Sequence, residues 1–509
     1  MAIAKVYTGT VVGLNAQPIT VEVNIEKRGF PAFNIVGLAN KEVDESKLRI
    51  ISAFINSNLN FPTDDKITVN LAPANIPKEG SLYDLPIAIG ILKASNQLTA
   101  NVANKLFLGE LSLDGEIKKV TGVAVVYSLC NSKEYKYLYI PIDNKEEVVL
   151  KKTGVFVKCP HNLTELVNHL EGIKIIENTK VNLAYLKNNY EVLIEEIKEQ
   201  EHAKRAIIIA AAGGHNVCLT GSPGTGKSML AKALQSILPP LQNTEIEEVI
   251  KIKSIAGQVD ENLLLRPFRS PHHTISRIGL IGGGSKIKPG EITLAHNGIL
   301  FLDELNEFPR STLESLRQPL EDKKITISRA IGNITFPSVF TLVVANNPCP
   351  CGYLNSSQKE CTCKIGDIKK YQKRISGPLL DRIDIHITMG EFDIKKIATP
   401  INTKDFGKET NSIRKKVIIA RNIQEERYEN KKYKTNAHQN NKSILENCNI
   451  TEKAREILNM SADKLKVSPR GYFKILKVAR TIADLENSTE IHEQHILEAV
   501  SFRKVSENI

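Results

Sequence analysis

The run Gly221-Ser222-Pro223-Gly224-Thr225-Gly226-Lys227-Ser228 fits the pattern G-x-x-x-x-G-K-[ST]. Glycines at this spacing let successive backbone N–H groups turn toward a polyanion. A helix opening directly after them presents the positive end of its dipole to the same point. Lys227 supplies a point charge for the β- and γ-phosphates of a nucleoside triphosphate, and the Ser228 hydroxyl suits Mg²⁺. About 75 residues further on, Asp303 and Glu304 stand side by side. Asp303 is placed to hold Mg²⁺, directly or through water, and Glu304 to orient and polarise an attacking water. The chemistry expected of these residues is ATP binding with Mg²⁺ and hydrolysis of the γ-phosphate.

A second group is Cys349-Pro350-Cys351 and Cys361-Thr362-Cys363, two C-x-C pairs separated by nine residues. Four thiolates from two short knuckles can close tetrahedrally on Zn²⁺ and fix a loop that lacks a core of its own. Four such ligands leave no open position, so the metal expected here is structural. Eight cysteines in a chain of 509 residues without a secretory leader argue against a disulfide framework.

These groups need elements to carry them. Val217 to Thr220 reads as a buried strand and Met229 to Leu234 as a helix, which gives the loop its strand–loop–helix setting. Ile299 to Leu302 is an apolar strand ending at the two carboxylates, and Phe340 to Ala345 is another, ending at Asn346-Asn347-Pro348. Glu201 to Ala212 reads as a helix stopped by Gly213-Gly214. The expected class is therefore α/β, with a parallel-sheet core over residues 199–394 that includes the cysteine loop.

Residues 1–170 read as a separate α/β domain. Val21 to Ile25 and Lys66 to Leu71 alternate as strands do, Lys47 to Leu59 and Asp84 to Ala94 have helical spacing, and a strand pair turns at Asp114-Gly115. Residues 171–198, rich in Lys, Asn and Glu, read as a linker ending in an amphipathic helix. Residues 395–509 hold several helical patterns and form an expected lid. No apolar run is long enough to span a bilayer, which predicts a cytoplasmic chain without a membrane partner. A net charge of +11 suits a polyanionic partner.

Several blocks resemble a known family. Ile35-Val36-Gly37-Leu38, Asn70-Leu71-Ala72-Pro73-Ala74, Pro77-Lys78-Glu79-Gly80-Ser81 and Leu108-Gly109-Glu110-Leu111 resemble the first domain of the ComM/YifB group of magnesium-chelatase-like AAA+ ATPases. Arg269-Ser270-Pro271-His272-His273, Pro289 to His296 and Ala479 to Leu485 extend the resemblance over nearly the whole chain. It implies a first domain with the fold of the Lon proteolytic domain. Lon chemistry needs a serine and a lysine to deprotonate it. The serine position falls at Leu82, with Ser81 one residue early, and Val120 to Ala124 offer no lysine. The domain is expected to be inactive.

The resemblance also implies roles for further residues. Asn347 takes the sensor-1 position, where an amide meets the lytic water or the γ-phosphate. Arg382, in Gly377-Pro378-Leu379-Leu380-Asp381-Arg382-Ile383-Asp384, matches the arginine finger that reaches a neighbour's ATP. Arg470, in Val467-Ser468-Pro469-Arg470-Gly471, matches the sensor-2 arginine of the lid, closing on the nucleotide. A hexameric ring acting on single-stranded or branched DNA, as in branch migration during recombination, is implied as well. Insertions in such rings line the pore. Two stretches qualify here: a hairpin around Gly332-Asn333 bearing Lys323, Lys324 and Arg329, and residues 255–285 with Arg266, Arg269, His272, His273 and Arg277. Two other functions use the same motifs: a motor subunit of the magnesium-chelatase type, and an ATP-fuelled Lon-like peptidase.

Overall fold

The computed structural model describes residues 3–27, 30–38, 40–131, 133–150, 152–179, 190–260, 262–284, 287–329, 332–354, 356–357, 359–391, 406–429 and 432–503. They fall into two compact units, Met1–Lys187 with Gln242–Leu263, and Asn188–Leu241 with Leu264–Ile509.

The first unit is built on a seven-stranded mixed sheet. Its order is Ala32–Val36, Lys66–Ala72, Asn15–Glu26, Ala4–Val12, Lys105–Phe107, Tyr137–Tyr139 and Phe156–Lys158. Alternation along Asn15–Glu26 sends Ile19, Val21 and Val23 into a core shared with Val6, Val69 and Leu71. Helix Asp84–Ala94 spans the residues expected of it. Helix Lys41–Asn56 starts six residues before the expected Lys47, because the Asn40 side chain accepts the Val43 N–H at 3.1 Å and caps it there. The hairpin Glu110–Leu111 with Ile117–Lys118 closes through Asp114-Gly115 as read.

Helix Asn243–Ala256 belongs to this first unit, although it lies within the span 199–394 expected for the core. A buried polar knot holds it. Ser254 Oγ donates to Glu147, the Ser254 carbonyl accepts the Gly122 N–H at 3.2 Å, and Glu147 Oε2 accepts the Ala124 N–H at 3.0 Å. Partners more than a hundred residues apart leave no local pattern to read.

The second unit is built on a five-stranded sheet, parallel throughout, in the order Phe268–Arg269, Gly298–Leu302, Phe340–Asn346, Val217–Thr220 and Ile385–Thr388. Gly298–Leu302 is buried along its whole length and Phe340–Asn346 up to its last residue, as strands covered on both faces are. Parallel pairing brings the carboxyl ends of three neighbouring strands to one edge, where α/β sheets bind ligands.

Helices Lys408–Arg427, Asn441–Asn447, Glu452–Lys464, Pro469–Leu485 and Glu493–Ser501 fall within residues 395–509, in the same unit as the five-stranded sheet. Their apolar residues are continuous with the core: Val417, Ala420 and Ala479 share one cluster with Ile207, Ala210 and Leu230. The linker departs from expectation. In place of an amphipathic helix before Glu201, the described residues form a 3₁₀ turn, Ile194–Glu196. The Glu195 carboxylate accepts the N–H groups of Gly407 and Thr410 and so spends its polar group on the start of helix Lys408–Arg427. Residues 180–189 lie outside the described residues.

Candidate ATP-hydrolysis site and cysteine centre

Strand Val217–Thr220 delivers the chain into the phosphate loop, and helix Lys227–Ile237 leaves it. Gly226 caps that helix at φ 76°, a left-handed backbone that a side chain would strain. Lys227 Nζ donates to the carbonyls of Gly221 at 2.7 Å and Ser222 at 2.9 Å, and lies 3.2 Å from Asn347 Oδ1. Burial lowers its pKa, and the charges of Asp303 and Glu304 oppose the shift. Ser228 Oγ donates to Asp303 Oδ2 at 2.8 Å. A hydroxyl and a carboxylate oxygen meeting at this point are a hard donor set that fits Mg²⁺.

The acid pair sits at the end of Gly298–Leu302. Glu304 adopts φ 49° and ψ 49°, left-handed for a residue with a side chain, which costs about 1–3 kcal/mol. Such strain turns its carboxylate out of the strand direction, and His273 Nδ1 stands 3.6 Å from Glu304 Oε2. Asn346 and Asn347 diverge: Asn346 Oδ1 accepts from Thr220 Oγ1 at 2.7 Å, while Asn347 faces Lys227. The loop lysine, the hydroxyl, both carboxylates and the amide thus converge at the ends of adjacent strands.

Comparison with known proteins agrees with this geometry. The family described as "Magnesium chelatase, subunit ChlI" matches residues 193–397. "Subunit ChlI of Mg-chelatase" matches 21–144, and "Magnesium chelatase, subunit ChlI C-terminal" matches 407–503. The chain is 41% identical to Competence protein ComM of Haemophilus influenzae over 99% of its own length and 98% of that protein. The chain belongs to the ComM/YifB group of magnesium-chelatase-like AAA+ ATPases. It is likewise 40% identical to the uncharacterized protein YifB of Escherichia coli, covering 99% and 98% of the two chains. Over 217 residues, 38% of this chain and 26% of the relative, it is 24% identical to the DNA replication licensing factor mcm7 of Schizosaccharomyces pombe.

Within this ComM/YifB chain the two arginines form a group of their own. Arg382 Nη2 lies 2.7 Å from Glu321 Oε1, and Arg470 pairs with the same oxygen. Burial alone would raise the Glu321 pKa; the two guanidinium groups outweigh it and hold it below the ordinary value. Among the described residues no hydrogen bond or ion pair joins either guanidinium to the phosphate loop. Arg470, expected to close on the nucleotide, is therefore found beside Arg382. Glu321 was missed in the sequence, where a lone carboxylate at the end of helix Arg317–Asp322 carries no signal. In the sequence His273 reads only as part of the 255–285 stretch expected to line a pore.

The four cysteines come together. Their sulfur atoms all lie within 4.8 Å of one another, with Cys349–Cys351 at 3.3 Å, Cys349–Cys361 at 3.6 Å and Cys351–Cys361 at 3.5 Å. Zn–S bonds of about 2.3 Å in a tetrahedron require sulfurs about 3.8 Å apart, so the set fits zinc. The Tyr353 backbone does most to lower the Cys351 thiol below its ordinary value. The knuckle touches the nucleotide site: a Cβ on Gly352, at φ 85°, would lie 2.6 Å from Pro223 Cδ.

The stretches read as DNA contacts fare differently. A hairpin does form, Lys324–Arg329 with Gly332–Pro337, but Ser328 pairs with Asn333 and Arg329 with Gly332, so Gly332-Asn333 lies in a strand and not at the turn. Lys323 precedes the hairpin strand and is half-buried. It caps helix Arg317–Asp322 in the left-handed region, its Nζ donates to the Leu320 carbonyl at 2.7 Å, and burial lowers its pKa to about 8. Lys324 is exposed; the Arg329 side chain lies outside the described residues. Arg266 and Arg269 both make internal hydrogen bonds. Arg266 donates to the carbonyls of Pro239 at 2.7 Å and Asn297 at 2.8 Å, and Arg269 grips Glu291 through two bonds of 2.6 and 2.7 Å.

Proposed function

We propose that the chain is an ATP-driven motor that assembles as a ring, with a hexamer as the expected state, and moves single-stranded or branched DNA without reading its sequence. The observation that carries this reading is the convergence of Lys227, Ser228, Asp303, Glu304 and Asn347 at the ends of three neighbouring parallel strands. Lys227 and the N–H groups of residues 221–228 bind the phosphates, leaving the loop carbonyls that now hold the ammonium. Ser228 and Asp303 would hold Mg²⁺, which would supply positive charge against the triphosphate. Glu304 accepts a proton from the attacking water, with His273 steadying its carboxylate, and Asn347 orients the same water. Arg382 and Arg470, paired on Glu321, complete the pocket of the adjacent subunit; a guanidinium is permanently charged and bidentate toward phosphate oxygens. Cys349, Cys351, Cys361 and Cys363 would hold a structural zinc, which would fix the loop beside Pro223.

The names of its relatives, a competence protein and a DNA replication licensing factor, support DNA as the substrate. In the first unit, the Ser81 hydroxyl donates to Glu110 and Lys78 Nζ donates to the Pro73 carbonyl, so neither forms a serine–lysine pair. That supports an inactive Lon-like domain over a peptidase. The test is ATP turnover measured in parallel with forked DNA, an unfolded protein and a porphyrin. Stimulation by DNA alone is expected; stimulation by protein or porphyrin alone would replace the DNA reading.

A further inference from the structure

Helix Ile365–Gln372 follows directly on Cys363, and its two faces differ. Ile368 and Tyr371 are buried. Asn306 Nδ2 donates to the Tyr371 carbonyl at 2.9 Å, and Gln372 Nε2 to the Pro348 carbonyl at 3.1 Å, which fastens the helix to the start of the cysteine knuckle. The other face and the turn beyond it carry Lys369, Lys370, Lys373 and Arg374, all exposed. With Arg310 they line an open cleft of about 680 Å³ in which Glu307 is the one carboxylate among the described lining residues.

The charges are not consumed internally. Arg374 Nη1 reaches Glu307 at 3.2 Å, whereas Lys369, Lys370 and Lys373 form no ion pair among the described residues. Structural ion-pair networks alternate sign; five cations facing one carboxylate do not. Small-molecule pockets bury most of their ligand's surface, whereas this cleft is open to solvent. Protein interfaces draw their energy from buried aromatic and aliphatic anchors, and the exposed groups here are cations. A polyanion lying along the helix meets them in turn. Lys369 with Lys373 and Lys370 with Arg374 form two ridges at i,i+4 spacing, a rise of about 6 Å along the axis. That step is close to the one between successive phosphates of a nucleic-acid strand.

We propose that this cleft is a second DNA-binding surface, gripping the sugar–phosphate backbone of one strand through Lys369, Lys370, Lys373 and Arg310, and held in place by the cysteine knuckle. It rests on the DNA reading above and adds a contact to it that is independent of the hairpin. Because the contacts are to phosphates, they add affinity and salt dependence without sequence preference.

The experiment uses the full chain carrying Lys369→Gln, Lys370→Gln and Lys373→Gln, surface changes that remove charge and leave Ile368 and Tyr371 in place. Binding of fluorescein-labelled single-stranded and forked DNA is followed by anisotropy over a range of potassium chloride concentrations, beside the wild type and a Lys324→Ala control. We expect the slope of log affinity against log salt to fall in magnitude by about 2, with affinity down about tenfold or more, and ATP turnover without DNA unchanged. A wild type that binds DNA and a triple variant with the same slope and affinity would overturn the cleft and leave the DNA reading standing. A wild type that binds no DNA would remove the reading on which the cleft rests. A variant that keeps its DNA affinity but loses binding to polyglutamate would assign the cleft to an acidic protein and overturn the proposal.

Discussion

Glu304 is a strained residue at the position proposed to activate water, and its geometry sets the first expectation. Glu304→Gln keeps the shape and the hydrogen-bonding reach of the side chain but cannot take a proton. We expect ATP to bind with unchanged affinity, followed with a fluorescent nucleotide, while turnover falls roughly 10²–10⁴-fold. Equal loss of both would place Glu304 in binding and not in chemistry. Asp384 makes a different kind of prediction. Burial alone would raise its carboxyl, but Lys474 Nζ at 2.9 Å and His215 outweigh it and hold the group well below the ordinary carboxylate range. A depressed carboxyl stabilises the fold above its unfolded pKa of about 4, and that stability is lost as pH falls further. Asp384→Asn leaves Lys474 buried without its partner, so we expect a loss of about 3–5 kcal/mol in urea unfolding at neutral pH. The loss should persist down to about pH 5 and shrink below about pH 4. A penalty that fades between neutral pH and 5 would contradict the depressed group.

At the scale of elements, the knuckle from Cys349 to Cys363 stands between the nucleotide loop and the basic cleft. We expect one zinc per chain by elemental analysis, and its removal with a thiol-competing chelator to weaken both nucleotide and DNA binding. Gly352→Ala tests the contact with Pro223 directly. Left-handed strain of about 1–2 kcal/mol at φ 85° is relieved only if the knuckle or the phosphate loop shifts, which should raise KM for ATP about tenfold. An unchanged KM would uncouple the knuckle from the loop. The phosphate loop itself was legible because strand, loop and helix are contiguous, so eight consecutive residues carry all the chemistry of the turn. The acid strand and the strand before Asn346 were legible as unbroken apolar runs ending in polar residues. Gly352 against Pro223, His273 beside Glu304 and Glu321 between Arg382 and Arg470 were not, because each pairs residues far apart in sequence. Lys323 differs in kind: a basic run reads as one exposed face, and the left-handed cap that ties this half-buried lysine to the Leu320 carbonyl leaves no trace in composition.

At the scale of the molecule, the described helices at the C-terminal end share an apolar core with the nucleotide-binding sheet, and helix Asn243–Ala256 is given over to the first unit. Neither arrangement is written in a local period; both arise from long-range burial. The same scale holds the main functional claim. Lys227 and Arg382 lie in one chain, and among the described residues no hydrogen bond or ion pair joins Arg382 to the phosphate loop; in the proposed ring each chain would offer half of two different sites. Arginine fingers raise phosphoryl-transfer rates roughly 10³–10⁵-fold, so either half alone is nearly silent. The decisive measurement is ATP turnover by a mixture of Lys227→Ala and Arg382→Ala chains, each inactive by itself. Random assembly puts an intact loop next to an intact arginine at one seam in four, and we expect about a quarter of the wild-type rate to return. No recovery on mixing, or full turnover by Arg382→Ala alone, would contradict a site shared between neighbours.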